Sequence, residues 1–200
     1  MGQNHSSSPQ VILMGLDSSG KSTLLARLLT GEVMETSPTI GFNVGTLDPD
    51  KKMSLTVWDI GGQQSMRQNW RYFLDDSGSW FLFFRYFLDD SGSWFLFFRY
   101  FLDDCKALVF VVDSSDRSRM PEAQKALKKV LKDERLRGVP LMVLANKKDL
   151  PNSMTIREIS NQLDLPNHSE RLWEVQACSA LKGLGLKQAF ISVHKLIKKS

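Results

Sequence analysis

Cysteine is scarce in this chain. Two thiols, Cys105 and Cys178, stand in 200 residues. They form neither a disulfide framework nor a metal-binding spacing, which fits a reducing compartment. Charge of one sign is also in short supply. Lys+Arg number 26 against 22 Asp+Glu, a net +4 spread along the chain. That argues against a dedicated nucleic-acid binder. Lys195, Lys198 and Lys199 cluster at the end and read as a solvated helix terminus favoured by the helix dipole. No uncharged apolar run is long enough for a membrane span. Residues 2–10 have no apolar core, so no secretory signal is expected. The length suits one domain with a sizeable core.

What is present begins with Gly15-Leu16-Asp17-Ser18-Ser19-Gly20-Lys21-Ser22. It reads G-x-x-x-x-G-K-[ST] between an apolar run, 11–14, and a helix-like run, 23–29. That strand–loop–helix setting gives the pattern its mechanism. Glycines let the backbone wrap closely, so that N–H groups point at phosphate oxygens. The helix N-terminus adds partial positive charge. Lys21 would reach the β/γ-phosphates, and the Ser22 hydroxyl would ligate Mg²⁺. The bland alternative is a glycine-rich turn with a solvated lysine; the flanking strand and helix argue against it.

The remaining chain alternates strand and helix signals. Residues 10–15 read as a strand and 21–30 as a helix with Leu24, Leu25, Leu28 and Leu29 on one face, ended by Gly31. Residues 44–47 and 53–58 read as an antiparallel pair around a turn-rich connector, 48–52. Residues 107–113, 141–145 and 172–177 read as buried strands. Helices are expected from Ser118-Arg119-Met120-Pro121 onward, from the capping box Thr155-Ile156-Arg157-Glu158, and over 185–198. The expected fold is α/β. It is a P-loop nucleotide-binding domain with about six strands, mostly parallel, one antiparallel strand at an edge, and helices on both faces.

Two further motifs end strands, where open α/β sheets bind ligands. In Trp58-Asp59-Ile60-Gly61-Gly62-Gln63, Asp59 can hold Mg²⁺ through water. Gly62 can offer its N–H to a γ-phosphate, and Gln63 can orient a water for in-line attack. Asn146-Lys147-Lys148-Asp149 chooses the base. A carboxylate at Asp149 accepts the two N–H groups that guanine offers and adenine does not. The Lys147 stem can lie over the ring, and the Ala180 N–H can meet the guanine O6. At the other end, Met1-Gly2-Gln3-Asn4-His5-Ser6 matches the N-myristoylation pattern with Gly2 as acceptor, the alternative being a polar tail.

GLDSSGKS, PTIGFNV, LTVWDIGGQ, VFVVDSSDR, LANKKDLP and CSALKGLGL together resemble the small GTPases of the ADP-ribosylation factor (Arf) and Arf-like type. The resemblance covers residues 1–74 and 101–200, and it implies a slow GTPase switch. GTP or GDP would be held by Gly15, Asp17, Ser18, Ser19, Gly20, Lys21, Ser22, Thr23, Thr39, Gly62, Asn146, Lys147, Asp149, Ser179 and Ala180. Mg²⁺ would be held by Ser22 and Thr39, and by Asp59 through water. Gln63, Lys21 and Thr39 would carry catalysis, with Thr39 sensing the γ-phosphate. Phe42 and Trp58 would belong to the effector patch. Exchange factors, GTPase-activating proteins and effectors would meet a monomer that binds no nucleic acid. Gly2, myristoylated, would attach it to endomembranes or vesicles from the cytoplasm, in membrane traffic. One departure is that residues 2–10 lack the amphipathic helix of Arf proteins proper, and one acyl chain anchors only marginally.

The second departure is a tandem 14-residue repeat. Residues 77–90, SGSWFLFFRYFLDD, recur without change as 91–104, and 71–76 repeat RYFLDD once more. Removing 77–104 joins Asp76 to Cys105 and restores the family pattern. The expected domain organisation is a tail over 1–9 and a nucleotide-binding domain over 10–200, interrupted at about 75–104. Three readings of the repeat stand open: a recent duplication expressed as a loop, an error in assembling or translating the gene, or an aromatic membrane- or partner-binding module. Helix and strand both fit its apolar runs. The load it places after switch two motivates an alternative function, a nucleotide-binding module that does not cycle.

Overall fold

The computed structural model describes residues 8–50, 53–67, 70 and 105–200. Gly2, the tail around it and the repeat lie outside the described residues. Six strands form one sheet in the order β2-β3-β1-β4-β5-β6. They are β1 (Gln10–Met14), β2 (Phe42–Asp50), β3 (Met53–Ile60), β4 (Cys105–Asp113), β5 (Leu141–Asn146) and β6 (Trp173–Ala177). The edge strand β2 pairs antiparallel with β3, and every other neighbour pair is parallel. The helices are α1 (Lys21–Thr30), α2 (Gln64–Arg67), α3 (Met120–Leu131), α4 (Ile156–Gln162) and α5 (Leu186–Ile197).

The continuous apolar strands follow from burial on both faces. Side chains alternate along a strand, so each strand feeds two cores. Ile12, Leu108, Phe110 and Val143 pack on one side with Ala123, Leu127 and Val130 of α3 and Ile159 of α4. Val11, Leu13, Val109, Val111 and Leu144 pack on the other with Leu24 and Leu25 of α1 and Ala189, Phe190 and Val193 of α5. The Thr155–Glu158 capping box is formed. Gly31 ends α1, donating its N–H to the Arg27 carbonyl at 3.0 Å.

Two expectations are corrected. The stretch around Asp48 and Pro49 is not a separate connector, because β2 runs on to Asp50. The ladder shifts register between Leu47 and Asp50, where an edge strand tolerates a proline that has no N–H to donate. Leu29 shares the face of Leu25 but is not buried there. It is 47 % exposed, since the last turn of α1 lies against the edge strand at Gly45.

The parallel order carries the ends of β1, β3, β4, β5 and β6 to one side of the sheet. Antiparallel β2 starts on that same side, so the segment before Phe42 arrives there too.

Candidate functional site

The loop from Gly15 to Gly20 leaves β1 and turns directly into α1. Gly20 is at φ 86, and a Cβ there would collide with Asn146 Nδ2. Glycine is required at that approach. The Ser19 hydroxyl donates to the Leu16 carbonyl at 2.8 Å, and Ser18 takes a positive φ of 59 at the loop tip. Lys21 is buried. Its Nζ donates to the Gly15 and Leu16 carbonyls at 3.1 and 3.0 Å. Burial lowers its pKa, opposed by the charges of Asp59 and Asp17. A buried ammonium with carbonyl partners alone suits a phosphate anion.

Beside it, three oxygens converge. Ser22 Oγ lies 2.7 Å from Thr39 Oγ1 and donates to Asp59 Oδ2 at 2.6 Å; Thr39 Oγ1 is 3.5 Å from that same oxygen. Asp59 is fully buried, and its Oδ1 has no hydrogen-bond partner among the described residues. Burial raises its pKa, while the Ser22 hydrogen bond, the Lys21 charge and bonds from Asn43 and Thr39 pull the other way. Hard oxygens around a buried, incompletely satisfied carboxylate fit Mg²⁺. Asn43 carries no signal in the sequence. It donates to Asp59 Oδ2 at 3.2 Å, because β2 places it directly opposite Asp59.

Gly62 sits on the phosphate loop. Its carbonyl accepts the Asp17 N–H at 2.9 Å, and a Cβ on Gly62 would meet Gly15 O and Lys21 Nζ at 2.5 Å. Gln63 stands just before α2. Its carbonyl accepts the Arg67 N–H, and no hydrogen bond holds its side chain among the described residues.

Opposite the loop, Gly20, Thr23, Asn146, Lys147, Asp149, Leu150, Ala180 and Leu181 enclose a cavity of about 180 Å³. Asn146 is its keystone. Nδ2 donates to the Ser19 carbonyl at 2.8 Å, and Oδ1 accepts the Ala180 N–H at 2.9 Å. The Ala180 N–H, expected to face a base, is therefore donated to Asn146 in this structure. A buried carboxamide needs both ends satisfied, and this bond satisfies one of them. Ser179 Oγ donates to Asp149 Oδ1 at 2.6 Å and orients a carboxylate that is itself exposed. Lys147 takes a positive φ of 62, and its Nζ pairs with Asp113 Oδ2 at 2.7 Å. Burial works against the Asp113 charge, but the Lys147 and Ser115 hydrogen bonds win and lower its pKa. Asp113 does carry a signal in the sequence: an apolar strand ending in an acid, as at Asp59.

Phe42 and Trp58 pack ring to ring, with centroids 5.2 Å apart and planes tilted by 44°. Trp58 is 2 % exposed, so the half-buried Phe42 is the face this pair presents.

A phosphate-type loop and a base-sized cavity lie side by side at the carboxyl ends of the parallel strands, joined through Asn146. Fold and site thus define a P-loop nucleotide-binding protein. Comparison with known proteins narrows the class. The model of the ADP-ribosylation factor family matches residues 2–82 and 94–197, and the chain belongs to that family. ADP-ribosylation factor J of Dictyostelium discoideum is 38% identical over 181 residues, 90% of this chain and 81% of that protein. ADP-ribosylation factor-like protein 1 of Saccharomyces cerevisiae is 38% identical over 189 residues, covering 94% and 87%. Among solved structures, the Arl6 BBS3 small GTPase from Trypanosoma brucei, bound to the nucleotide analogue GppNp, superposes with a TM-score of 0.74. It is 26% identical, over 96% of this chain and 99% of that one. The chain is a small GTPase, with GTP or GDP and Mg²⁺ as its ligands.

Proposed function

We propose that this GTPase is a slow switch whose two states are told apart by Thr39 and Gly62. The observation that carries the reading is the Thr39 hydroxyl, which reaches Ser22 and Asp59 from the segment ahead of β2. A residue so placed couples that segment to the phosphate site. Lys21 and the loop N–H groups hold phosphate oxygens, and Ser22, Thr39 and Asp59 form the metal side. Mg²⁺ supplies positive charge to the phosphates when bound. Gln63 orients the attacking water, helped by a side chain free to do so. Asp149, aimed by Ser179, reads the guanine edge, and bound base would give its carboxylate the burial that discrimination needs.

Slow turnover follows from the arginines. Arg67 and Arg119 reach the phosphate loop, but both are engaged by carboxylates there. Among the described residues neither is free to act as an arginine finger, and we assign that role to a partner. Phe42, backed by Trp58, is the effector-facing pair. Among the described residues no helix is long and apolar enough to cross a membrane. On the Met1–Ser6 acylation pattern and membership of the family, we assign attachment to a myristoyl group on Gly2 and a role in membrane traffic to a monomer peripheral on endomembranes. Within the family, the sequence resembles Arf-like proteins 14 and 11.

Nucleotide competition tests the switch. Thr39→Ala should lose about tenfold in affinity for a non-hydrolysable GTP analogue relative to GDP. An unchanged ratio would remove Thr39 as sensor. Mass spectrometry of protein from eukaryotic cells should find myristate on Gly2, and an acetylated or bare terminus would defeat that assignment.

A further inference from the structure

Asp17 is the one carboxylate within the phosphate loop. Its place there is uncomfortable, since a loop that wraps phosphates should not carry a free negative charge. Two arginines from different elements hold it. Arg119 Nη1 reaches Oδ2 at 3.1 Å, and Arg67 Nη2 lies 3.6 Å from Oδ1. Each arginine is aimed by a second acid. Asp116 takes Arg119 Nε at 2.6 Å, and Glu122 of α3 takes Arg67 Nη1 at 2.9 Å. Arg67 is mostly buried, its side chain 14% exposed. Its own N–H closes α2 onto the Gln63 carbonyl at 2.8 Å. One guanidinium therefore ties the turn that carries Gln63 to both the phosphate loop and α3.

We propose that Arg67 is a positioning residue for GTP hydrolysis: anchored on Asp17 and Glu122, it fixes the backbone turn bearing Gln63, and together with Arg119 it keeps the Asp17 carboxylate off the phosphates. The inference rests on the GTPase reading above. Its two halves make separable demands. The anchor needs a forked, two-partner cation, so a lysine in place of Arg67 would be a poor substitute. The shield needs only that Asp17 be neutralised. It matters more for GTP than for GDP, because GTP brings one more phosphate.

The test uses the full chain, purified with GDP and exchanged to GTP. Single-turnover hydrolysis and the GTP-to-GDP affinity ratio are read for wild type, Arg67→Ala, Arg67→Lys, Glu122→Gln and the pair Arg67→Ala with Asp17→Asn. Arg67→Ala should slow hydrolysis about tenfold and shift the ratio toward GDP by a similar factor. Arg67→Lys should recover only part of the rate. Glu122→Gln, outside the phosphate loop, should slow hydrolysis about threefold and leave the ratio in place. Adding Asp17→Asn to Arg67→Ala should restore the ratio but not the rate. A merely structural role for Arg67 gives no such rescue, so an unrestored ratio overturns the shield. Wild-type rates in both Arg67→Ala and Glu122→Gln overturn the anchor. A wild type that neither binds nor hydrolyses GTP defeats the functional reading instead.

Discussion

Replacing Asn146 with alanine should loosen the whole nucleotide side of the molecule. Asn146 is 1 % exposed and joins three loops through one carboxamide. Its Nδ2 donates to Ser19 O at 2.8 Å, and its Oδ1 accepts from Ala180 N at 2.9 Å. Ser19 and Ala180 are themselves buried. In Asn146→Ala, a carbonyl and an N–H lose their partners away from water. Each such loss costs about 1–3 kcal/mol, so the pair costs roughly 2–6 kcal/mol. A domain with roughly 5–15 kcal/mol in hand feels that strongly. Urea unfolding monitored by tryptophan fluorescence, at two fixed excesses of GDP and Mg²⁺, reads the change. Nucleotide linkage adds about 1.4 kcal/mol per tenfold excess to any variant that still binds, which separates lost binding from lost fold. Asp149→Ala is the contrasting variant. Asp149 is exposed, so its loss should weaken GDP binding and leave the nucleotide-free fold within about 1 kcal/mol of wild type. If Asn146→Ala unfolds within about 0.5 kcal/mol of wild type, Asn146 is not the keystone of these loops.

Two charges yield further expectations. Burial raises the Asp59 pKa above its ordinary value of 3.8, so ionising it opposes folding: stability is fuller below 3.8 and declines as pH rises through the raised folded value. At pH 7 in chelator, Asp59→Asn should therefore be at least as stable as wild type by thermal unfolding, yet gain far less when Mg²⁺ is restored. An equal Mg²⁺ gain would contradict the metal assignment. Asp113 has the opposite sign, its pKa lowered from 3.8 by Lys147 and Ser115 in spite of burial. Its contribution is present above 3.8 and fades as pH falls below it. Lys147→Met should cost about 0.5–1 kcal/mol near pH 7, a partly exposed pair being worth no more, and nothing once Asp113 is protonated. Carboxyl NMR of Asp113 should show its titration moving upward in that variant, and an unmoved titration would refute the pairing.

The readable parts of this protein are those that one residue type or one short period determines. Lys21, Ser22, Asn146 and Asp149 are legible by spacing, and the fold brings all four to the carboxyl ends of the parallel strands. The alternation through Ile12, Leu13, Val109 and Phe110 implies two-sided burial, and a short connector implies the antiparallel edge. What stays unread depends on register and neighbourhood. Asn43 matters because β2 sets it opposite Asp59, and Lys147 meets Asp113 because β4 and β5 are adjacent. Nothing local to Arg67 says that Asp17 and Glu122 will flank it. Leu29 obeys the helical period yet stays half exposed against Gly45 of the edge strand, since the period reports a face and not where the sheet stops. The Ala180 N–H turns to Asn146 rather than outward, and backbone groups leave no mark of such a choice in a sequence. The repeat is plain as text, and its place in the fold lies outside the described residues.

The proposed switch hydrolyses GTP slowly and depends on Gln63 to do so. Single-turnover hydrolysis of GTP by the full chain with Mg²⁺ tests it most directly, wild type beside Gln63→Leu. Phosphate release from wild type should be slow but measurable, and at least about tenfold less from Gln63→Leu, with GDP binding retained by both. Equal rates from the two proteins, or no GTP turnover by wild type at all, would contradict it.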